Sequence, residues 1–232
     1  MKKYMGLFCV LITFSCQPGT REKKYVAGYY EARDMLIDGR IIEELWTNVK
    51  ADTGFTFPWE KGLVPATEFR IFYDSGNLYY AFIVQDDEIV CRQHVEEEED
   101  IIGEDRVEMY FTPDDKLEKY YCFEVDPMGR ILDYSSSFPR RFDFEWDWRG
   151  LVAAAVMTEK GYSVEGKIPL ASFRALGFQA GARQNLRMAV FRAQASRNPD
   201  STIAEHWISW IDPGVSEPDF HVPSAFGFLE LK

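Results

Sequence analysis

Hydrophobic and polar positions alternate in short runs along most of the chain, and the runs are broken by Gly, Pro and Asp. Thr67 to Tyr73 (TEFRIFY) and Asn77 to Val84 (NLYYAFIV) are rich in β-branched and aromatic residues, and Asp74-Ser75-Gly76 joins them. Two such runs linked by turn formers predict a β-hairpin. The same pattern predicts strands at Arg106 to Phe111, Tyr120 to Val125, Arg130 to Tyr134, Leu151 to Met157, Tyr162 to Ile168, Asn185 to Ala193 and Phe226 to Leu231. Only Leu170 to Leu176, after Pro169, predicts a helical turn. Many short strands at regular spacing point to an all-β fold. The expectation is one domain, an immunoglobulin-like or jelly-roll-type antiparallel β-sandwich over residues 34–232.

Within the run from Arg106, period-two geometry puts Val107, Met109 and Phe111 on one face and Arg106, Glu108 and Tyr110 on the other. The first face suits a core; the second can present charge and a ring to a ligand. The stretch Phe142 to Trp148 (FDFEWDW) alternates rings with acids. If extended, it would place Phe142, Phe144, Trp146 and Trp148 together. Asp143, Glu145 and Asp147 would then stand roughly 7 Å apart along the strand, too far to share one ion. Arg140, Arg141 and Arg149 are the expected counter-charges.

The N-terminus breaks the strand pattern. Lys2 and Lys3 precede an apolar run from Tyr4 to Phe14 that is too short to span a bilayer, then Ser15 and Cys16. Residues 1–15 resemble a bacterial lipoprotein signal, although Thr13 stands where such signals usually carry Leu. The resemblance implies lipidation of Cys16, an outer-membrane lipoprotein at the cell envelope, and a tether over residues 16–33. Ordinary secretion remains the alternative, and the leaflet is not specified.

Composition narrows the partners. The chain carries 38 acids against 26 Lys and Arg, a formal charge of −12, and removing the signal takes away two lysines and no acid. Such a surface repels phosphates and anionic lipid, so nucleic acid is not an expected partner. The block Glu96 to Asp100 reads as a solvated loop rather than a metal site, since consecutive residues rarely converge on a cation. Of four cysteines, Cys91 and Cys122 remain in the folded part; they form either one disulfide or two small buried hydrophobes. His94, His206 and His221 are too scattered to indicate a nucleophilic triad. No motif selects a hydrolytic carboxylate pair.

A series of local patterns carries a family resemblance: Leu36-Ile37-Asp38-Gly39 with Trp46, Phe69 to Asp74, Gln85-Asp86-Asp87, Glu104 to Phe111, Phe123 to Asp126 with Gly129, Gly161 to Pro169, Trp207 to Trp210, and Pro223 to Gly227. The order resembles the family 9 carbohydrate-binding modules and their wider group, related to the DOMON sandwiches. It covers about Asp34 to Leu231. The resemblance implies non-catalytic sugar binding, in which two tryptophans clamp a terminal sugar and charged or amide groups grip its hydroxyls. It also implies glycoside hydrolases or glycan importers as partners and leaves room for structural calcium, with no ligands assigned. The residues depart from it at the clamp. Ile102 and Phe220 occupy the two tryptophan positions, and Glu124 stands where an arginine is expected.

The expected glycan site therefore comprises Arg106, Glu108, Glu124, Phe220 and His221, with Trp146 as a replacement ring and Trp148 assigned to the core. Either the site changed its ligand or it lost sugar binding and became a protein-interaction surface. A third reading, from the DOMON relatives, is a haem-binding electron carrier using Met109 or Met188 with His221. Glu165 is expected to satisfy neighbouring backbone groups, and Asp38-Gly39 to form a turn.

Overall fold

The computed structural model describes residues 23–179 and 185–232; the signal-like segment, Cys16 and the tether up to residue 22 lie outside the described residues. In chain order the elements are β1 (Lys24–Tyr29), α1 (Glu44–Asn48), β2 (Thr67–Tyr73), β3 (Asn77–Gln85), β4 (Arg106–Thr112), β5 (Tyr120–Val125), β6 (Ile131–Ser136), β7 (Val152–Thr158), β8 (Gly161–Pro169), α2 (Leu170–Ala175), β9 (Asn185–Arg197), β10 (Ile203–Ser209) and β11 (Gly227–Leu231). Short 3-10 turns cover Glu98–Ile101 and Pro223–Ala225.

The strands follow one path, β6-β5-β4-β9-β11-β1-β2-β3-β8-β7, with β10 beside the far half of β9. The path folds over at β1. Lys24 to Ala27 pair with β11 and Gly28-Tyr29 with β2, both in parallel, whereas every other described pairing is antiparallel. The result is a β-sandwich joined along one side by β1. The expected domain boundary at residue 34 therefore falls too late, because part of the supposed tether is a strand of the sheet. Its short KYVAGY pattern, with lysine and glycine inside it, gives little periodic signal.

The core lies between the layers. Val107, Met109 and Phe111 of β4, with Tyr121, Phe123 and Val125 of β5, meet Tyr80, Phe82, Tyr162 and Val164 from the other layer. Trp148 joins them, packed edge-on against Phe111, Phe123 and Phe173. The β2–β3 turn forms as its sequence predicts. Oδ1 of Asp74 accepts hydrogen bonds from the backbone N–H groups of Gly76 and Asn77, both at 2.7 Å. Gly39 adopts φ +84°, and a Cβ there would meet the backbone of Ala155 at 2.7 Å, so the Asp38-Gly39 turn can approach β7 only without a side chain.

Two elements outside the strand expectations shape the outer face of the first layer. β10 extends β9 and brings Trp207 and Glu205 alongside it. The segment from Phe142 to Trp148 is not a strand: a single bridge joins Asp143 to Ser135, and a turn follows at Phe144-Glu145. That turn breaks the alternation and splits the four rings into two pairs, Phe142 with Phe144 and Trp146 with Trp148.

Candidate functional site

Arg106, Glu108 and Tyr110 of β4, Glu124 of β5 and Tyr134 of β6 form the floor of a cleft of about 260 Å³ on the outer face of the layer that holds these strands. Register sets the chemistry of that floor. Glu108 lies directly opposite Glu124 on one side and Phe191 on the other. Two carboxylates facing each other across strands repel, and Arg106 answers both from one guanidinium. Its Nε lies 2.5 Å from Glu124 Oε2 and 3.2 Å from Glu108 Oε1, while Nη1 reaches Glu205 Oε1 and the Glu104 carbonyl, each at 3.0 Å. Glu108 and Arg106 are 1% and 3% exposed. Burial disfavours the charge on Arg106, but the surrounding carboxylates outweigh it and keep the guanidinium protonated.

The proton inventory shows how the two carboxylates coexist. Tyr110 donates to Glu108 Oε2 at 2.8 Å, and Tyr134 lies 3.1 Å from Glu124 Oε1 and 3.2 Å from the Tyr110 oxygen. Three oxygen–oxygen contacts thus share two hydroxyl hydrogens. Burial first, and the charge of Glu124 second, push Glu108 up to about 8 against the opposing pull of Arg106, so the Glu108–Glu124 pair as a whole keeps a proton at neutral pH. Oε1 of Glu108 receives no hydrogen bond, because the single Nε hydrogen of Arg106 is directed at Glu124.

The walls are aromatic. Phe142 and Phe144 stand 39% and 37% exposed, packed on Tyr134 of β6. Trp207 of β10 lies over the Arg106 guanidinium, 5.4 Å to the ring centroid, with Trp59 close by across Phe220. β6 and β10 bracket three strands, so these two sets of rings face one another across roughly four strand spacings, about 19 Å between backbones. His221 stacks on Tyr110, and its Nδ1 lies 3.0 Å from the Tyr120 hydroxyl. Burial, and then Arg140, depress His221 to about 4 against Asp219, so its ring is uncharged near neutrality. Arg140 and Asp219 pair with each other at the rim, 2.9 Å apart.

The structure brings together five of the six expected site residues: Arg106, Glu108, Glu124, Phe220 and His221. Phe220 lines the cleft, but it is 5% exposed and one face is stacked on Phe191 at 3.9 Å. Ile102, at the other clamp position, is an exposed aliphatic on the rim. The sixth residue, Trp146, is a correction. After the turn at Phe144-Glu145 its ring packs on Tyr121 and Trp148 at the core, away from the cleft. Arg140 likewise turns to Asp219 rather than to the acids of the FDFEWDW stretch. Sequence reasoning did not place Trp59, Tyr134, Glu205 or Trp207 in the site. For Glu205 and Trp207 a signal existed, since they alternate in a run that pairs with β9, but only the pairing shows which face they occupy.

Several other expectations resolve by geometry. Met109 and Met188 are buried between the layers while His221 lies on the outer face, so the sheet itself separates the supposed haem ligands. Cys91 and Cys122 are both free thiols. Glu165 accepts the Trp46 indole N–H at 2.8 Å and the backbone N–H groups of Asp38 and Gly39, a structural role. Asp100 caps its own turn by accepting from the N–H groups of Glu96 and Glu97, as suits a solvated loop.

Among the described residues, Cys91, Glu104 and Asp126 converge closely enough to share an ion. Arg130 already reaches all three: Cys91 Sγ at 3.2 Å, Glu104 at 3.1 Å and Asp126 at 2.5 Å. A thiol beside a resident guanidinium does not fit a hard, oxygen-seeking cation such as calcium.

Solved structures share this architecture. A candidate carbohydrate-binding protein from Bacteroides uniformis superimposes with TM-score 0.72 at 16% identity, covering 91% of this chain and 100% of its own. A family 9 carbohydrate-binding module from Caldicellulosiruptor kristjanssonii in complex with glucose gives TM-score 0.61 at 15% identity, covering 90% and 96%. The same module with cellotriose gives 0.62 at 16%, covering 90% and 94%. No curated protein matches the sequence. Residues 37–232 match the carbohydrate family 9 binding domain-like family, and the chain belongs to that family.

Proposed function

We propose that the protein is a non-catalytic carbohydrate-binding domain that holds a sugar in the cleft above Arg106, Glu108 and Glu124. One observation carries this reading. The cleft combines accessible ring faces with a floor of buried, prepositioned carboxylates and a guanidinium. Ring faces cover the C–H patches of a pyranose, and charged groups grip paired hydroxyls. Family membership supports it, as do neighbours of the same fold that hold glucose and cellotriose. At about 260 Å³ the cleft suits a monosaccharide or the end of a chain rather than a long polymer groove. With Ile102 and Phe220 at the clamp positions, Phe142, Phe144 and Trp207 are the rings that take over stacking.

The lipoprotein-like start at residues 1–16 supports a place at the outer membrane, anchored through Cys16. There the domain would capture oligosaccharides or polysaccharides for catabolism, beside glycoside hydrolases or glycan importers. A glycan array followed by calorimetry tests the binding reading. The wild type binds at least one glycan, and Trp207→Ala weakens that binding about tenfold, the scale of losing one stacked ring. A folded protein that binds no glycan on the array rules it out.

A further inference from the structure

The charge on the cleft floor is not balanced. Three carboxyl groups, Glu108 from β4, Glu124 from β5 and Glu205 from β10, surround one guanidinium, that of Arg106, so the floor stays net negative even with one proton on the Glu108–Glu124 pair. The other groups facing the floor do not correct this. Arg140 is paired with Asp219 at the rim, His221 is neutral, and Tyr110 and Tyr134 are neutral hydroxyls. The imbalance also has an address. Oε1 of Glu108, on a side chain 1% exposed that lines the cleft, accepts no hydrogen bond. A buried acceptor left without a donor is costly, and nearby positive charge acts strongly in a site shielded from water. The rings above the floor complete the picture, since aromatic faces attract cations through their quadrupole and Trp207 already covers one.

We propose that this cleft selects a sugar bearing a protonated amine, whose ammonium group sits over the Glu108–Glu124 floor and supplies the positive charge that Arg106 alone does not. The inference rests on the carbohydrate reading and narrows its ligand class to amino sugars with a free amine. An N-acetylated sugar presents the same ring without the charge, and a plain glucan presents hydroxyls only. Without ligand, the proton held on the Glu108–Glu124 pair occupies the electrostatic place of the ligand's cation, so amine binding expels it.

Titration calorimetry at pH 6.5 provides the test. The probes are the β-1,4-linked glucosamine disaccharide and trisaccharide, their fully N-acetylated counterparts, and cellobiose and cellotriose. The free-amine sugars bind at least tenfold tighter than both neutral sets and release a proton, seen as a binding heat that changes with the buffer's ionisation enthalpy. Glu108→Gln, and separately Glu205→Gln, each shrink the ratio of free-amine to neutral-sugar affinity at least threefold, and a ratio unchanged in both variants overturns the amine inference. Equal or tighter binding of the neutral sugars overturns the amine inference and leaves the carbohydrate reading standing. Absence of binding by all three sets overturns both.

Discussion

Among the described residues two arginines are almost wholly buried, and their surroundings differ in one informative respect. Arg192 projects from β9 into the space between the layers, 2.7 Å from Asp86 and 3.1 Å from the Thr67 hydroxyl. Its carboxylate neighbours are saturated. The second oxygen of Asp86 accepts from Glu88 N–H, and both oxygens of nearby Asp105 accept backbone N–H groups, from Val90 and Ala195. The idle group in that cluster is a donor, Nε of Arg192. Arg106, on the outer face, serves more carboxylates and leaves an acceptor idle at Glu108. A saturated ionic cluster spends its charges holding the fold together; an unsaturated one beside a cleft has interactions left for a ligand.

The strongest way to break this contrast is Arg192→Met. Removing one partner of a buried pair leaves Asp86 uncompensated, and the expected loss is about 3–5 kcal/mol in urea unfolding, with little change at the outer cleft. A loss under about 1 kcal/mol would show that the inter-sheet pair is not structural.

The next effect is pH-dependent and belongs to the cleft. Glu108 is raised from 4.5 to about 8, so the folded state keeps a proton that the unfolded chain has already released. Its stabilising contribution is full below about pH 4.5, declines as pH rises and is gone above about pH 8. Asp105 and Glu165, each raised to about 7 chiefly by burial, add slope of the same sign at lower pH. Glu108→Gln removes its own share, so between pH 5 and pH 9 the variant loses less stability than the wild type, by a few kcal/mol. Parallel pH profiles for the two proteins would show that Glu108 is not the proton holder.

The smallest effects separate the two halves of FDFEWDW. Phe144→Ala costs under about 1 kcal/mol of stability, being half in solvent, yet weakens ligand binding several-fold. Trp146→Ala costs about 1–3 kcal/mol from lost packing and leaves affinity unchanged. The opposite pattern would return Trp146 to the cleft.

How much of this was legible beforehand follows from the physics of each element. The two faces of β4 could be read directly, because side chains of a strand alternate without reference to anything else. The β2–β3 turn was equally local, since Asp74 closes it with its own carboxylate. Trp148 was assignable because an apolar strand follows it. The position of Trp146 was not, because one turn at Phe144-Glu145 cancels the alternation on which the reading depended, and nothing local announces that turn. β1 escaped notice for the converse reason: its place comes from its neighbours β11 and β2, not from its own weak pattern.

By itself, then, the sequence determined which residues alternate, the β2–β3 turn, the all-β class and the family motifs. It also set the departure from the tryptophan clamp at Ile102 and Phe220. Only the tertiary structure decided that Glu108 faces Glu124 across a strand pair, that one guanidinium answers three carboxylates, and that Phe142, Phe144 and Trp207 wall the cleft. Those facts depend on register and on contacts between residues as far apart as Arg106 and Glu205. Register is a property of the assembled sheet, and charge balance is a property of everything that converges on one site.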